Sequence, residues 1–221
     1  MIFKSNIIEE IKFSHIKSVH STSEEQMIDE IKGIAIIVDD DDVEKNVGEI
    51  RAYYVDNTNR SSSIHLDLDC ISSSLEEFAQ FFDDQNQIEE TIYKTLNITD
   101  KRDRIFDNDG VLILDMVYVE KDFRGSKIGQ LLIDNLCNDY QRRSRFALLK
   151  AFPLQYEGST NPERLEEKKR KANEEDKIFF KNRDEDASEK KLIQLYKQSG
   201  FRIIKGTKNF MVCDLNEKLF E

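Results

Sequence analysis

Apolar and polar positions alternate along the chain in two regimes, short mixed segments first and then a regular succession of strands and helices. Gly33–Val38 is an apolar run rich in β-branched residues, the pattern of a buried strand. The acidic run Asp39–Asp42 makes a solvated turn, and Val47–Val55 returns as the hairpin partner. Ile11–Ser18 reads as a further strand. Thr22 and Glu25 stand at capping-box spacing with Met27, Ile28 and Ile31 on one face, which predicts a helix over 22–31. Ile64, Leu66 and Leu68 alternate with His65, Asp67 and Asp69, as in a half-exposed strand. Ser74 and Glu77 repeat the capping box ahead of Leu75, Phe78, Ala79 and Phe82, an amphipathic helix, and Gln87–Leu96 predicts another.

The second half is more regular. Val111–Val119 is an apolar strand in which Asp115 is the only charged residue. A helix follows over about 126–140, with Ile128, Leu131, Leu132 and Leu136 on its inner face. Phe146–Phe152 is again a strand, stopped by Pro153. Between Pro162 and Lys191, 20 of 30 residues are charged with both signs mixed, a solvated helical excursion. Leu192, Leu195 and Tyr196 end a helix that Gly200 can cap. Phe201–Lys205 and Asn209–Leu215 then form a closing hairpin around Gly206. The order of elements predicts one domain over 1–221, of class α/β or α+β with a mixed sheet.

Composition narrows the function. With 38% hydrophobic residues and fourteen Phe, the 221-residue chain can build a substantial core. Forty-four acidic against thirty-three basic residues leave a net charge of −11, which sets nucleic acid and anionic membranes aside as partners. No apolar run approaches the roughly 20 residues of a membrane helix. Glu9 and Glu10 interrupt the start before a signal sequence could form, so a soluble cytoplasmic protein is expected. Cys70, Cys137 and Cys213 are odd in number and far apart, so they read as small buried hydrophobes and not as a disulfide framework or a zinc site. Asp39–Asp42 lacks the glycine and distal glutamate of a calcium loop, and no metal is expected. His15, His20 and His65 read as surface residues.

The candidate chemistry lies in Val117-Tyr118-Val119-Glu120-Lys121-Asp122-Phe123-Arg124-Gly125-Ser126-Lys127-Ile128-Gly129-Gln130. An apolar strand ends, a short turn carries Arg124 and Gly125, and a helix opens almost at once. Amides in the first turn of a helix have no internal partner and point outward with the positive end of the dipole. Gly125 and Gly129 remove side chains that would hold an anion away, and Arg124 and Lys127 add positive charge. This is the pattern of a pyrophosphate cradle, though neither a Walker loop nor a dinucleotide fingerprint.

On these residues the chain resembles the GCN5-related N-acetyltransferase superfamily, whose acetyl-CoA motif, [Q/R]-x-x-G-x-[G/A], follows the fourth strand. Arg124 fills the first position and Gly129 the last, while Lys127 replaces the middle glycine. Leu195-Tyr196-Lys197-Gln198-Ser199-Gly200-Phe201 is similar to the family's late aliphatic-Tyr-x-x-x-Gly-Phe segment. The resemblance covers about 110–215. Residues 1–109 diverge from the family pattern, and the charged stretch at about 160–190 is an insertion.

The resemblance implies a mixed, mostly antiparallel sheet flanked by helices, and transfer of an acetyl group from acetyl-CoA to a small-molecule or peptide amine. The acceptor would be cationic to suit an acidic protein, and a homodimer is admitted. It places the cofactor on Val117, Val119, Arg124, Gly125, Ser126, Lys127, Ile128, Gly129 and Gln130. Tyr196 stands where the family's general acid lies, and equally reads as an amphipathic core residue. Asp115, on the same strand face as Val117 and Val119 by period two, is a candidate general base or a buried carboxylate bonded to a neighbour; Glu120 is a second candidate. Lys127 in place of glycine, and Glu189 where the family often has an asparagine contacting the cofactor, leave open a non-catalytic acyl-CoA sensor. A ligand-free interaction protein is a third reading.

Overall fold

The computed structural model describes residues 10–17, 28–38, 42–56, 63–99, 110–152 and 185–217. Among them seven strands build one sheet: β1 Glu10–Lys17, β2 Ile28–Val38, β3 Glu44–Val55, β4 Gly110–Val119, β5 Ser144–Lys150, β6 Arg202–Ile203 and β7 Phe210–Asp214. Their spatial order is β1-β2-β3-β4-β5-β7-β6. Every neighbouring pair is antiparallel except β4 and β5, which run parallel. A parallel pair needs a crossover, and helix α4, Ile128–Tyr140, supplies it. The other helices are α1 Ile64–Ile71, α2 Ser73–Glu76, α3 Glu90–Leu96 and α5 Glu185–Gln198. The class is therefore the expected one, a mixed and mostly antiparallel sheet flanked by helices.

Helices cover both faces, which explains why β4 is apolar from Val111 to Leu114 and β5 from Phe146 to Leu149. On one face Ile50, Leu112, Leu114, Leu149 and Met211 pack with α4 and with Tyr196 of α5. On the other, Tyr53, Val111, Ile113, Phe146, Leu148 and Val212 pack with α1, α2 and α3. Helix α5 ends in a Schellman motif: Gly200 takes φ +89°, its N–H donates to Lys197 O at 3.1 Å, and the Phe201 N–H donates to Tyr196 O at 3.1 Å.

Several local expectations change. Residues 28–31 belong to β2, not to a helix; Ile28 pairs with Val55, and Ile28 and Ile31 enter opposite faces of the sheet. Residues 22–27 lie outside the described part, as do Asp39–Asp41 and most of the charged insertion. Ile64–Leu68 is helical: Ile64 and Leu68 are buried one turn apart and Leu66 is 66% exposed. Positions i and i+4 share a face in both periods, so a five-residue alternation does not separate them. The second capping box is replaced by Ser72, whose hydroxyl accepts the Leu75 N–H at 3.2 Å; α2 stops at Glu76 and gives way to a 3-10 turn, Ala79–Phe81. Leu131 is 40% exposed and Ile133 is buried instead; Cys70 is exposed, while Cys137 and Cys213 are buried.

Gly110 opens β4 beneath the ring of Tyr54, and an added Cβ would stand 2.3–2.6 Å from three atoms of that side chain. The ring cannot yield easily. The Arg143 guanidinium lies 4.4 Å over it, and the phenol donates to the Arg143 carbonyl at 3.3 Å. Gly110→Ala is expected to destabilise the fold by about 1–3 kcal/mol, the usual penalty of overpacking, as a lower midpoint in urea unfolding with unchanged slope.

Candidate active site where β4 and β5 part

The parallel ladder between β4 and β5 begins at Gly110↔Ser144 and ends at Leu114↔Leu149. Beyond it β4 runs on to Val119, paired with β3 through Met116, Val117, Tyr118 and Val119. On the other side the Ala151 N–H turns to Asn209 O at 2.8 Å, away from β4. A wedge opens between the strands, with the backbone of 115–119 along one wall. A bulge marks its apex: Ala52 faces Leu114 and Arg51 faces Met116, which leaves Asp115 as the extra residue. A bulge bends its strand and re-aims the side chains after it.

The wedge and the loop into α4 lie at the same end of β4. A 3-10 turn, Lys121–Phe123, leads to Arg124–Lys127, all exposed, and then to the helix. Gly125 and Lys127 both take left-handed backbone, at φ +87° and +66°. Such alternation turns successive amides toward one side and makes an anion-binding concavity. The Leu131 N–H closes back on Lys127 O at 3.0 Å, so the amides of Ile128, Gly129 and Gln130 are those a helix start leaves open. Arg124 Nε donates to Val119 O at 3.0 Å and ties the loop to the strand end; the Ser126 hydroxyl donates to the Phe123 carbonyl. An added Cβ at Gly125 would meet nothing within 4 Å, so the outer side of the loop is open.

Gly129 stands in the first turn of α4 against the end of β4. It is buried, and an added Cβ would lie 3.5 Å from Val119 and 3.6 Å from Val117. These are ordinary van der Waals distances, so the helix seat itself would admit a methyl group there. The close approach is at Gly48 of β3, where Ile128 lies 2.8 Å from the position of the missing Cβ. Gly48 and Lys45, whose ammonium sits 5.3 Å over the Phe123 ring, were not evident from the loop alone. A glycine inside an otherwise β-prone run was the available signal for the close approach.

Tyr196 lies on the same side of the sheet as Val117, Val119 and Ile128, in one core layer, with its ring 6.3 Å from that of Phe201. Burial pushes its phenol up to about 12, so it is neutral across the physiological range. Leu192, Ile193 and Tyr196 of α5 pack into this core layer. Asp115 does not share this side. The bulge breaks the period of two, and its carboxylate joins Arg51 and Ser74 on the α2 side. Arg51 holds Oδ2 through Nε at 2.7 Å and Nη2 at 2.6 Å, and the Ser74 hydroxyl reaches Oδ1 at 3.5 Å. Burial opposes the Arg51 charge, but Asp115 outweighs it and the guanidinium is held above its ordinary value. Glu120 is exposed at the strand end and accepts from the Tyr118 phenol at 3.3 Å. Glu189 is buried against Lys208, Nζ at 2.9 Å, which occupies the carboxylate.

No known family profile matches the chain, and no curated protein matches it. Solved structures do. NAA60 from Arabidopsis thaliana in complex with acetyl-CoA is 12% identical, with a TM-score of 0.40, over 94% of this chain and 99% of that one. Arylalkylamine N-acetyltransferase 2 from Aedes aegypti is 11% identical, with a TM-score of 0.39, over 85% and 73%. The KacTA–DNA complex is 10% identical, with a TM-score of 0.40, over 89% and 75%. One expectation is overturned: a similar structure is bound in a DNA complex, so the net charge of −11 does not set nucleic acid aside. Net charge averages over a surface, whereas partners bind local patches.

Two substitutions probe the site's construction. Lys127→Gly removes a side chain from left-handed backbone that costs an L-residue about 1–2 kcal/mol, so the melting temperature is expected to hold or rise. Asp115→Asn leaves Arg51 without its counter-ion. The guanidinium side chain is 37% exposed, so water screens the loss to about 1 kcal/mol, a fall of roughly 2–4 °C in thermal unfolding.

Proposed function

We propose that the chain transfers an acetyl group from acetyl-CoA to an amine. The observation that carries this reading is the wedge at Asp115–Val119 opening beside the amide-lined loop at the start of α4. Pyrophosphate calls for several N–H donors at a positive helix end, and pantetheine, a chain of amides, calls for a strand edge with unused backbone groups. The two lie at one end of β4. The amides of Gly125, Lys127, Ile128, Gly129 and Gln130 would hold the pyrophosphate, flanked by the side chains of Arg124, Ser126 and Lys127, and Val117 and Val119 would hold the pantetheine arm. Lys127 departs from the family's glycine but adopts the backbone a glycine would take, at φ +66°, so the loop keeps its path.

In this reading the amine nitrogen attacks the thioester carbonyl, and a β4 N–H near Val117–Val119 meets the developing oxyanion. The C–S bond breaks, and the Tyr196 phenol gives its proton to the departing thiolate. The proton lost by the amine passes to solvent water. A phenol that holds its proton up to about pH 12 is charged with that proton in every encounter with substrate.

Tyr196→Phe keeps the ring and removes only the transferable proton. The turnover number, followed by thiol release with any accepted amine, is expected to fall by roughly 10²–10⁴, with acetyl-CoA affinity by calorimetry unchanged. The pH dependence has a definite sign. A raised phenol value extends the protonated, active form upward, so no basic limb due to Tyr196 is expected in the turnover number between pH 7 and 10. A mutant as fast as the wild type would remove Tyr196 from the mechanism.

A further inference from the structure

The α2 side of the wedge carries charged side chains that the transfer scheme does not use. Lys150, the last residue of β5, lies one position beyond the final β4 partner, Leu149. Phe146 and Leu148 point to the α1–α3 side, and period two places Lys150 with them. There its ammonium pairs with the Glu77 carboxylate at the end of α2. Asp115, the first β4 residue beyond the ladder, lies on the same side with Ser74 of α2. So the two strands leave each other, and α2 spans the opening, donating the Ser74 hydroxyl to Asp115 of β4 and offering the Glu77 carboxylate to Lys150 of β5.

The two pairs differ in how firmly they are made. Asp115 is held through two Arg51 nitrogens with its side chain 10% exposed, whereas Glu77 is 45% and Lys150 29% exposed. An exposed Lys–Glu pair contributes little, and exchanging one ammonium for another at Glu77 conserves charge. In the same position the Lys150 ammonium is 5.4 Å from the Phe210 ring and 5.7 Å from the Phe152 ring, and aromatic faces hold cations, so Glu77 is not its only partner. The loop and Tyr196 occupy the α4–α5 side, which leaves the α2 side for the acceptor.

We propose that Glu77 is a specificity-determining residue that holds a second cationic group of the acceptor, an aliphatic di- or polyamine, and that Lys150 occupies Glu77 until that group displaces it. The inference rests on the acetyl-transfer reading. The reacting nitrogen must be neutral when it attacks, so the acceptor's remaining ammonium is what Glu77 recognises.

The test compares spermidine with butylamine as acceptors for wild type, Glu77→Gln and Lys150→Met, by thiol release from acetyl-CoA. Wild type is expected to prefer spermidine in kcat/KM. Glu77→Gln should raise KM for spermidine about tenfold, one lost charged contact of about 1.4 kcal/mol, and leave butylamine unchanged. Lys150→Met should act in the opposite direction and lower KM for spermidine. If the pair merely fastens α2 to β5, both variants shift both amines in the same direction, and the proposal falls. It also falls if wild type uses the two amines equally, or binds acetyl-CoA yet acetylates neither. Absence of acetyl-CoA binding by calorimetry to the wild type is a separate outcome, since it overturns the acetyl-transfer reading itself.

Discussion

The ladder between β4 and β5 is the only parallel pairing in the described sheet, and its ending after Leu114↔Leu149 organises the rest of the site. A parallel pair requires the chain to cross over, and a right-handed crossover begins its helix at the carboxyl end of the first strand. That places the open amides of α4 at the end where β4 and β5 diverge. Crevices beyond the carboxyl ends of strands are general ligand sites for the same reason. Here the bulge at Asp115 sharpens the divergence, because an extra residue bends β4 while it keeps its pairing with β3.

The height of the loop above the sheet is set by an absence. Gly48 on β3 lets the helix approach β3 more closely than a side chain would permit, with Ile128 filling the space, while Gly129 of α4 rests on Val117 and Val119 with room for a methyl group. Arg124 then anchors the loop to the Val119 carbonyl. The positive end of α4 is thus fixed against the strand whose backbone lines the wedge, and dipole effects act only within the first turn. A rise of the helix by one side-chain thickness would separate the two.

The two faces of the sheet carry unlike chemistry at this level. On the α4–α5 side the layer is apolar, with Val117, Val119 and Tyr196, and a phenol is kept neutral by burial. On the α2 side the apolar layer gives way to Arg51, Asp115, Ser74, Glu77 and Lys150. An apolar environment keeps a phenol protonated, and a charged rim suits recognition of a charged partner. The bulge creates the division, since without it Asp115 would stay in phase with Val117.

By itself the sequence determined the order of the described strands and helices over 111–152 and 185–217, the loop at Arg124–Gly129 and the turn at Gly200, because each is written in local periodicity or in a glycine that must take left-handed backbone. Lys127 shows the reach of this reading: its place in the motif marks a special backbone position although its side chain does not. Shorter segments were ambiguous. Ile64, Leu68 and their neighbours satisfy both a strand and a helix, and only packing against Leu75 and Phe82 in one core layer chose the helix. The face of Asp115 was beyond local rules, since a bulge is a relation between strands, and Ala52 and Arg51 lie more than sixty positions away. The same holds for Gly48 under Ile128 and for Lys150 on Glu77, separated by 73 positions. Periodicity fixes which way a side chain points within one element; only the pairing and stacking of elements decides what it meets.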